Sequence, residues 1–118
     1  MSLNCDKYQS FATLLEQLRS DVDTQLTASD LRQRVVSLQQ FFGQQIVPLT
    51  EVDSRVQSYQ TEISKQLRLL EVDVMFFQGS RQASTAQTRL QTISDRLTTL
   101  IGYCEAILQQ QEKGEQEQ

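Results

Sequence analysis

Apolar residues recur along most of this chain at alternating intervals of three and four, the spacing of one face of an α-helix. In the last such segment the series runs without a break: Ala83, Ala86, Leu90, Ile93, Leu97, Leu100, Cys104 and Ile107. The 118 residues include only four glycines and one proline, so few positions can interrupt a helix. Glutamine, a good helix former, supplies 20 residues. These features favour a small all-α protein and argue against a β-sandwich or an α/β enzyme.

Four periodic segments predict helices at about 4–25, 28–46, 51–78 and 82–111. The first three carry these apolar series: Tyr8, Phe11, Leu15, Leu18 and Val22; Leu31, Val35, Leu38, Phe42 and Ile46; Val52, Val56, Tyr59, Ile63, Leu67, Leu70, Val74 and Phe77. Thr27 is expected to cap the second helix, and the run from Thr50 to Asp53 repeats this capping arrangement before the third. Gly79 is expected to end the third helix in a left-handed conformation, and Ser80 to cap the fourth.

The connections between these segments are short, which makes sequential helices antiparallel neighbours. The predicted fold is therefore a four-helix antiparallel up-down-up-down bundle with left-handed coiled-coil-like packing. We expect a single domain over 1–111 and a disordered, acidic, glutamine-rich tail over 112–118. In the alternative, helices 2 and 3 form one long helix kinked at Pro48, giving three helices that could complete their core by dimerising. Proline disfavours helix at the preceding residue, so Val47 should lie outside a helix or at a sharp kink.

The charge balance and the absence of histidine limit the possible functions. Eleven Lys and Arg against fifteen Asp and Glu give a net charge of −4, with no basic stripe for nucleic acid or for a membrane surface. No transmembrane segment or secretory leader is expected, which predicts a cytoplasmic protein. Histidine-based catalysis and metal ligation are excluded, and no catalytic, cofactor or metal residue is predicted. Cys5 and Cys104 are expected to be reduced thiols, Cys104 as part of the core, while a redox role stays open.

The stretch LLEVDVMFF, residues 69–77, has more apolar residues than one core-facing stripe can use. Leu70, Val74 and Phe77 already belong to the third helix's apolar series. The surplus residues are Leu69, Val72, Met75 and Phe76. A helix that is apolar on two faces is either deeply buried or in contact with a partner. These four residues are the predicted partner-binding site, and an unusually wide core is the competing interpretation.

Phe41 and Phe42, with Val36 nearby, raise the same question on the second helix, where the smaller surplus favours the core. Gly43 and Gly102 lie inside predicted helices. Close approach of two helices is one explanation for a glycine at such a position.

The stretches MSLNCDKYQSFATLLEQLRSDVD, SLQQFFGQQIVPL and LLEVDVMFFQ resemble the PatD family of cyanobacterial heterocyst frequency control proteins. The resemblance covers nearly the whole chain and extends to its length, helical pattern and glutamine content, without a short diagnostic motif. It implies a non-enzymatic regulator that limits how many cells of a nitrogen-starved filament become heterocysts. It also implies binding to the cell-division protein FtsZ, whose assembly such a regulator modulates. The family offers no catalytic or cofactor-binding residues to carry over.

Three functional hypotheses follow. The first is a helical adaptor that binds a cytosolic protein, which is FtsZ if the resemblance holds. The second is a self-associating coiled-coil scaffold, with the surplus stripe as a homodimer interface. The third is a ligand-sensing or enzymatic bundle with space for a small molecule between its helices.

Overall fold

A computed structural model describes residues 3–24, 26–49 and 53–116, with side chains over 5–24, 26–49 and 53–110. The four helices are α1 (Leu3–Val22), α2 (Ala28–Phe41), α3 (Ser54–Gln78) and α4 (Ala83–Gln116). A π-helical segment, Phe42–Ile46, continues directly from α2. No strand occurs among the described residues.

The helices pack in sequence order around one core, α1 against α2 and α4, and α3 against α2 and α4. The molecule measures 55 × 21 × 19 Å, and its long axis follows the helices. Because the π-helical segment that continues α2 ends at Ile46 and α3 begins at Ser54, α2 and α3 are separate helices. The predicted four-helix bundle is thus confirmed, and the three-helix alternative with a kink at Pro48 is wrong. Val47 lies outside the helix as predicted, although its φ of −55° and ψ of −41° are helical rather than extended.

The helix boundaries follow local capping chemistry. The Thr27 hydroxyl accepts a hydrogen bond from the Asp30 amide, as predicted for the start of α2. At the start of α3 the cap is Asp53, whose carboxylate accepts from the Val56 amide, whereas residues 50–52 lie outside the described residues. Ser80 does not cap α4, because its hydroxyl donates to the Phe76 carbonyl at the end of α3.

Two other boundaries differ from the prediction. The last helical residue of α1 is Val22 rather than residue 25, because the amide and the hydroxyl of Thr24 both donate to the Asp21 carbonyl and form a turn. At the other end of the chain, α4 continues to Gln116, so the residues expected to be disordered from 112 onwards are helical up to that point. Glutamate, glutamine and lysine, which dominate this stretch, all have high helix propensity.

Gly79 follows the last residue of α3, as expected, but its conformation is not the predicted one. Its φ of −85° and ψ of −2° lie on the right-handed side, and its amide donates to the Met75 carbonyl. Gly43 and Gly102 do not mark close helix packing either. An added Cβ at either position would have no neighbouring atom within 4 Å.

The core contains the apolar residues that the spacing predicts for α1 and α2, from Tyr8 to Val22 and from Leu31 to Ile46. In α4 the prediction holds from Ile93 to Ile107 and fails earlier, since Ala83 is exposed and Leu90 only half-buried. The cause is the short first helix. Arg19, one turn before the end of α1, donates to Thr98, so the first turns of α4 extend beyond α1.

Leu38, Phe42 and Ile46 follow each other at two successive intervals of four, which in a regular α-helix would turn the apolar face away from the core. The π-helical segment keeps Phe42 and Ile46 buried. The Val47 amide donates to the Phe42 carbonyl at 2.9 Å, which closes the wider turn. Such a turn resets the angular position of the apolar face just before Pro48.

Candidate protein-interaction site

Three large apolar side chains on the outer face of α3 are exposed to solvent. The exposed fraction is 40% for Val72, 64% for Met75 and 54% for Phe76. Leu69, the fourth predicted residue, is half-buried. The wide-core interpretation is therefore wrong for three of the four residues, and applies in part to Leu69.

Met75 opens onto a groove between α2 and α3. Val36 of α2, 42% exposed, lines the same groove, with Val35 and Val74 also in its wall. Arg32 and Glu71 are its charged lining residues, and the groove has a volume of about 310 Å³. The exposed apolar surface thus extends from α3 onto α2.

Phe76 lies on the opposite side of the exposed face, towards α4. The guanidinium carbon of Arg89 is 4.6 Å from the centre of the Phe76 ring, within the range of a cation–π contact. The arginine covers one side of the ring and adds a positive charge there. Phe76 nevertheless remains half exposed.

The aromatic pair on α2 behaves differently. Phe42 is buried, and the Phe41 ring stacks on Phe11 of α1, with the ring centres 5.9 Å apart and the planes parallel to within 1°. Both rings therefore belong to the core and its margin, as predicted. The expectation of a core position is wrong for the nearby Val36, which is 42% exposed.

The interface between α3 and α4 contains a polar contact that sequence reasoning missed. Asp73 is buried, and its carboxylate accepts a hydrogen bond from Nε of Arg96. Nη1 of Arg96 donates to Oε1 of Gln66 at 2.7 Å. The available sequence signal was the second of two acidic residues in the mostly apolar run 69–77, placed one residue before the core residue Val74. The contact joins α3 to α4 directly beside the exposed face.

A second polar contact crosses the core at the other end of the bundle. Gln60 of α3 donates through Nε2 to the hydroxyl of Tyr8, which is 1% exposed. Burial raises the pKa of Tyr8, the hydrogen bond from Gln60 lowers it, and a smaller electrostatic contribution from Cys104 raises it. Both contacts satisfy buried polar atoms and so act in folding.

Cys104 lies in the core of α4, as predicted. Burial, followed by the charges of Glu105 and Glu16, raises the pKa of its thiol to about 12. A thiol with such a pKa carries almost no thiolate at neutral pH and is a poor nucleophile. Cys5 is half-buried, and no disulfide joins the two residues.

The described part of the chain offers no cluster of three or more Cys, Asp or Glu that could hold a metal ion. Within the same part, no helix combines the length and the hydrophobicity that crossing a membrane requires. What the site offers chemically is exposed apolar surface bordered by charge. No described protein family, no curated protein and no solved structure matches this chain.

Proposed function

We propose that this chain is a non-enzymatic helical regulatory protein that binds another protein through the outer face of α3. The observation that carries the proposal is the exposure of Val72, Met75 and Phe76, together with Val36 on the neighbouring helix. Each of these side chains leaves apolar surface in water, and covering that surface is favourable. Contiguous exposed apolar side chains with a polar border are typical of protein-binding surfaces.

The resemblance to the PatD family supplies the partner that we propose, the cell-division protein FtsZ. In this proposal the chain binds FtsZ in the cytoplasm and shifts the equilibrium of its assembly. Through that binding it limits the frequency of heterocysts. The proposed mechanism is equilibrium binding alone, with no catalytic residue and no cofactor.

The test compares the binding of purified FtsZ by the parent protein and by variants Val72→Ser and Phe76→Ser. Each variant removes exposed apolar surface without opening the core, so the helical circular dichroism spectrum should be retained. We expect each to bind FtsZ about tenfold more weakly, since truncating an anchor residue at the centre of an interface costs about 1–2 kcal/mol or more. The assembly of FtsZ, followed by light scattering after GTP is added, should lose its response to the variants in parallel.

The matched control is Val47→Ser, which removes a valine that is 56% exposed on a different part of the surface. This variant should bind FtsZ like the parent. If Val72→Ser and Phe76→Ser both keep full binding, α3 is not the contact face. If the parent itself does not bind FtsZ, the proposed partner is wrong.

The second candidate function is a self-associating coiled-coil scaffold, which the same exposed apolar residues favour. Light scattering at tens of micromolar protein separates the two candidates. A mass near the 13.6 kDa of one chain removes the scaffold, whereas a dimer that dissociates on Phe76→Ser supports it.

A further inference from the structure

We propose that the α2–α3 surface binds an acidic amphipathic helix of the partner protein. The surface consists of the apolar residues Val36, Val72, Met75 and Phe76, and is called the apolar strip below. This inference rests on the proposed function, and it specifies the chemistry of the partner without assuming its identity.

The shape of the surface suits a helix. Val72 and Phe76 are four residues apart and so lie one above the other along α3, while Met75 and Val36 line the groove beside them. A partner helix with apolar residues three and four positions apart presents the same spacing, and it can place one of them in the groove between α2 and α3. This is the general geometry in which an amphipathic helix binds a groove.

The charges around the apolar strip are mostly positive. Arg32 lines the groove, Arg68 lies one helical turn before Val72, and Arg89 covers part of the Phe76 ring. Glu71 is the acidic residue in the groove, and its carboxylate accepts a hydrogen bond from Gln39. Three arginines against one glutamate make this border cationic, although the whole chain has a net charge of −4.

Among the residues whose side chains the structure describes, these three arginines also have no acidic partner within ion-pair distance. Within the described ranges the ion pairs are Arg34 with Asp21 and Arg96 with Asp73, neither of which involves the border of the apolar strip. Unpaired cations at the border of an apolar surface favour a partner with acidic residues flanking its apolar face. A second copy of this chain would bring three more arginines and only one more glutamate to the same interface, so the charges favour a foreign acidic helix over a homodimer.

The test uses two labelled synthetic peptides of about 20 residues, long enough to be helical. Both carry the same leucine face; one has glutamates and the other has lysines on the remaining positions. Fluorescence anisotropy with the full-length protein should show that the glutamate peptide binds at least about tenfold more tightly than the lysine peptide. Raising the salt concentration should weaken the binding of the glutamate peptide, because salt screens surface charges.

Two variants make the test specific. The double variant Arg32→Glu/Arg68→Glu should reverse the preference, so that the lysine peptide binds more tightly. The matched control Arg19→Glu/Arg55→Glu changes the net charge by the same amount on other parts of the surface, and should keep the parent's preference. A further variant, Met75→Ser, should weaken the binding of the glutamate peptide because it removes apolar contact within the groove.

Three results of the peptide measurement would overturn the inference. They are equal binding of the two peptides, binding of neither, and a preference that changes as much in the matched control as in the Arg32→Glu/Arg68→Glu variant. A concentration-dependent dimer that Met75→Ser dissociates would also overturn it in favour of a second copy. Because the peptides are independent of FtsZ, failure here leaves the FtsZ measurement unaffected, and loss of FtsZ binding leaves the peptide result unaffected.

Discussion

The guanidinium of Arg96 on α4 donates a hydrogen bond to the carboxylate of Asp73 on α3, with Nε and Oδ2 2.5 Å apart. Asp73 is only 6% exposed, so the carboxylate depends on this partner instead of on water. A second guanidinium nitrogen is held by Gln66. Asp73 lies on α3 one residue after Val72, so its contact with Arg96 connects the helix that carries most of the apolar strip to α4.

We predict that Asp73→Asn lowers the free energy of unfolding by about 2–3 kcal/mol. The substitution keeps the size of the side chain and removes the charge, which leaves the Arg96 guanidinium desolvated without its counter-ion. The cost falls below that of a fully buried pair because the Arg96 side chain is still 21% exposed. Urea unfolding followed by circular dichroism measures it.

The pair between Arg34 and Asp21 provides the matched control, because its side chains are 36% and 45% exposed. Asp21→Asn should lower the free energy of unfolding by less than about 1 kcal/mol, as is usual for solvated pairs. Equal losses for the two asparagine variants would contradict a structural role specific to Asp73.

The helices and most of the core follow from the sequence because amphipathic spacing is a local property. Each series of apolar residues defines a face without reference to the other helices, and Leu31 to Ile46 are buried as their spacing predicts. The exposure of Ala83 depends instead on where α1 ends, and the burial of Asp73 depends on Arg96, 23 residues away. Such properties appear only when the helices are placed next to each other.

The candidate site divides in the same way. Val72, Met75 and Phe76 could be predicted because they exceed what one helix face can bury. The participation of Val36 could not, since it requires α2 and α3 to lie side by side in the observed register. The half-buried position of Leu69, which the surplus argument placed on the partner surface, likewise depends on the neighbouring helix.

Gly102 provides a prediction about stability inside α4. Since an added Cβ there has no atom within 4 Å, alanine fits without displacing a neighbour. We expect Gly102→Ala to raise the free energy of unfolding by about 0.5–1 kcal/mol, because alanine has less backbone entropy to lose than glycine in a helix. Urea unfolding checks the value, and a decrease would mean that the position requires glycine.

Gly79 provides a different prediction, because its backbone is right-handed. A Cβ there would lie 3.6 Å from the Met75 carbonyl oxygen, which is ordinary van der Waals contact. Gly79→Ala should therefore change the free energy of unfolding by no more than about 0.5 kcal/mol. If Gly79 were left-handed, the same substitution would lower the free energy of unfolding by about 1–2 kcal/mol. Urea unfolding distinguishes the two values.

The buried thiol of Cys104 predicts a loss of stability in alkali. Its pKa rises from 9.0 in the unfolded chain to about 12 in the folded protein, chiefly because burial disfavours the thiolate. Below pH 9 both states keep the proton, and the contribution to stability is constant. Between pH 9 and 12 the unfolded state loses the proton first, so the free energy of unfolding should fall by up to about 1.4 kcal/mol per pH unit.

Urea unfolding at a series of pH values from 7 to about 11 tests this dependence. Cys104→Ala removes the ionisable group and should flatten the decline between pH 9 and 10, where the parent is already losing stability. Some decline should remain above pH 10, because burial also raises the pKa of Tyr8. Cys5→Ser retains the buried thiol and should decline like the parent. An unchanged slope in Cys104→Ala would show that the alkaline loss of stability comes from other groups.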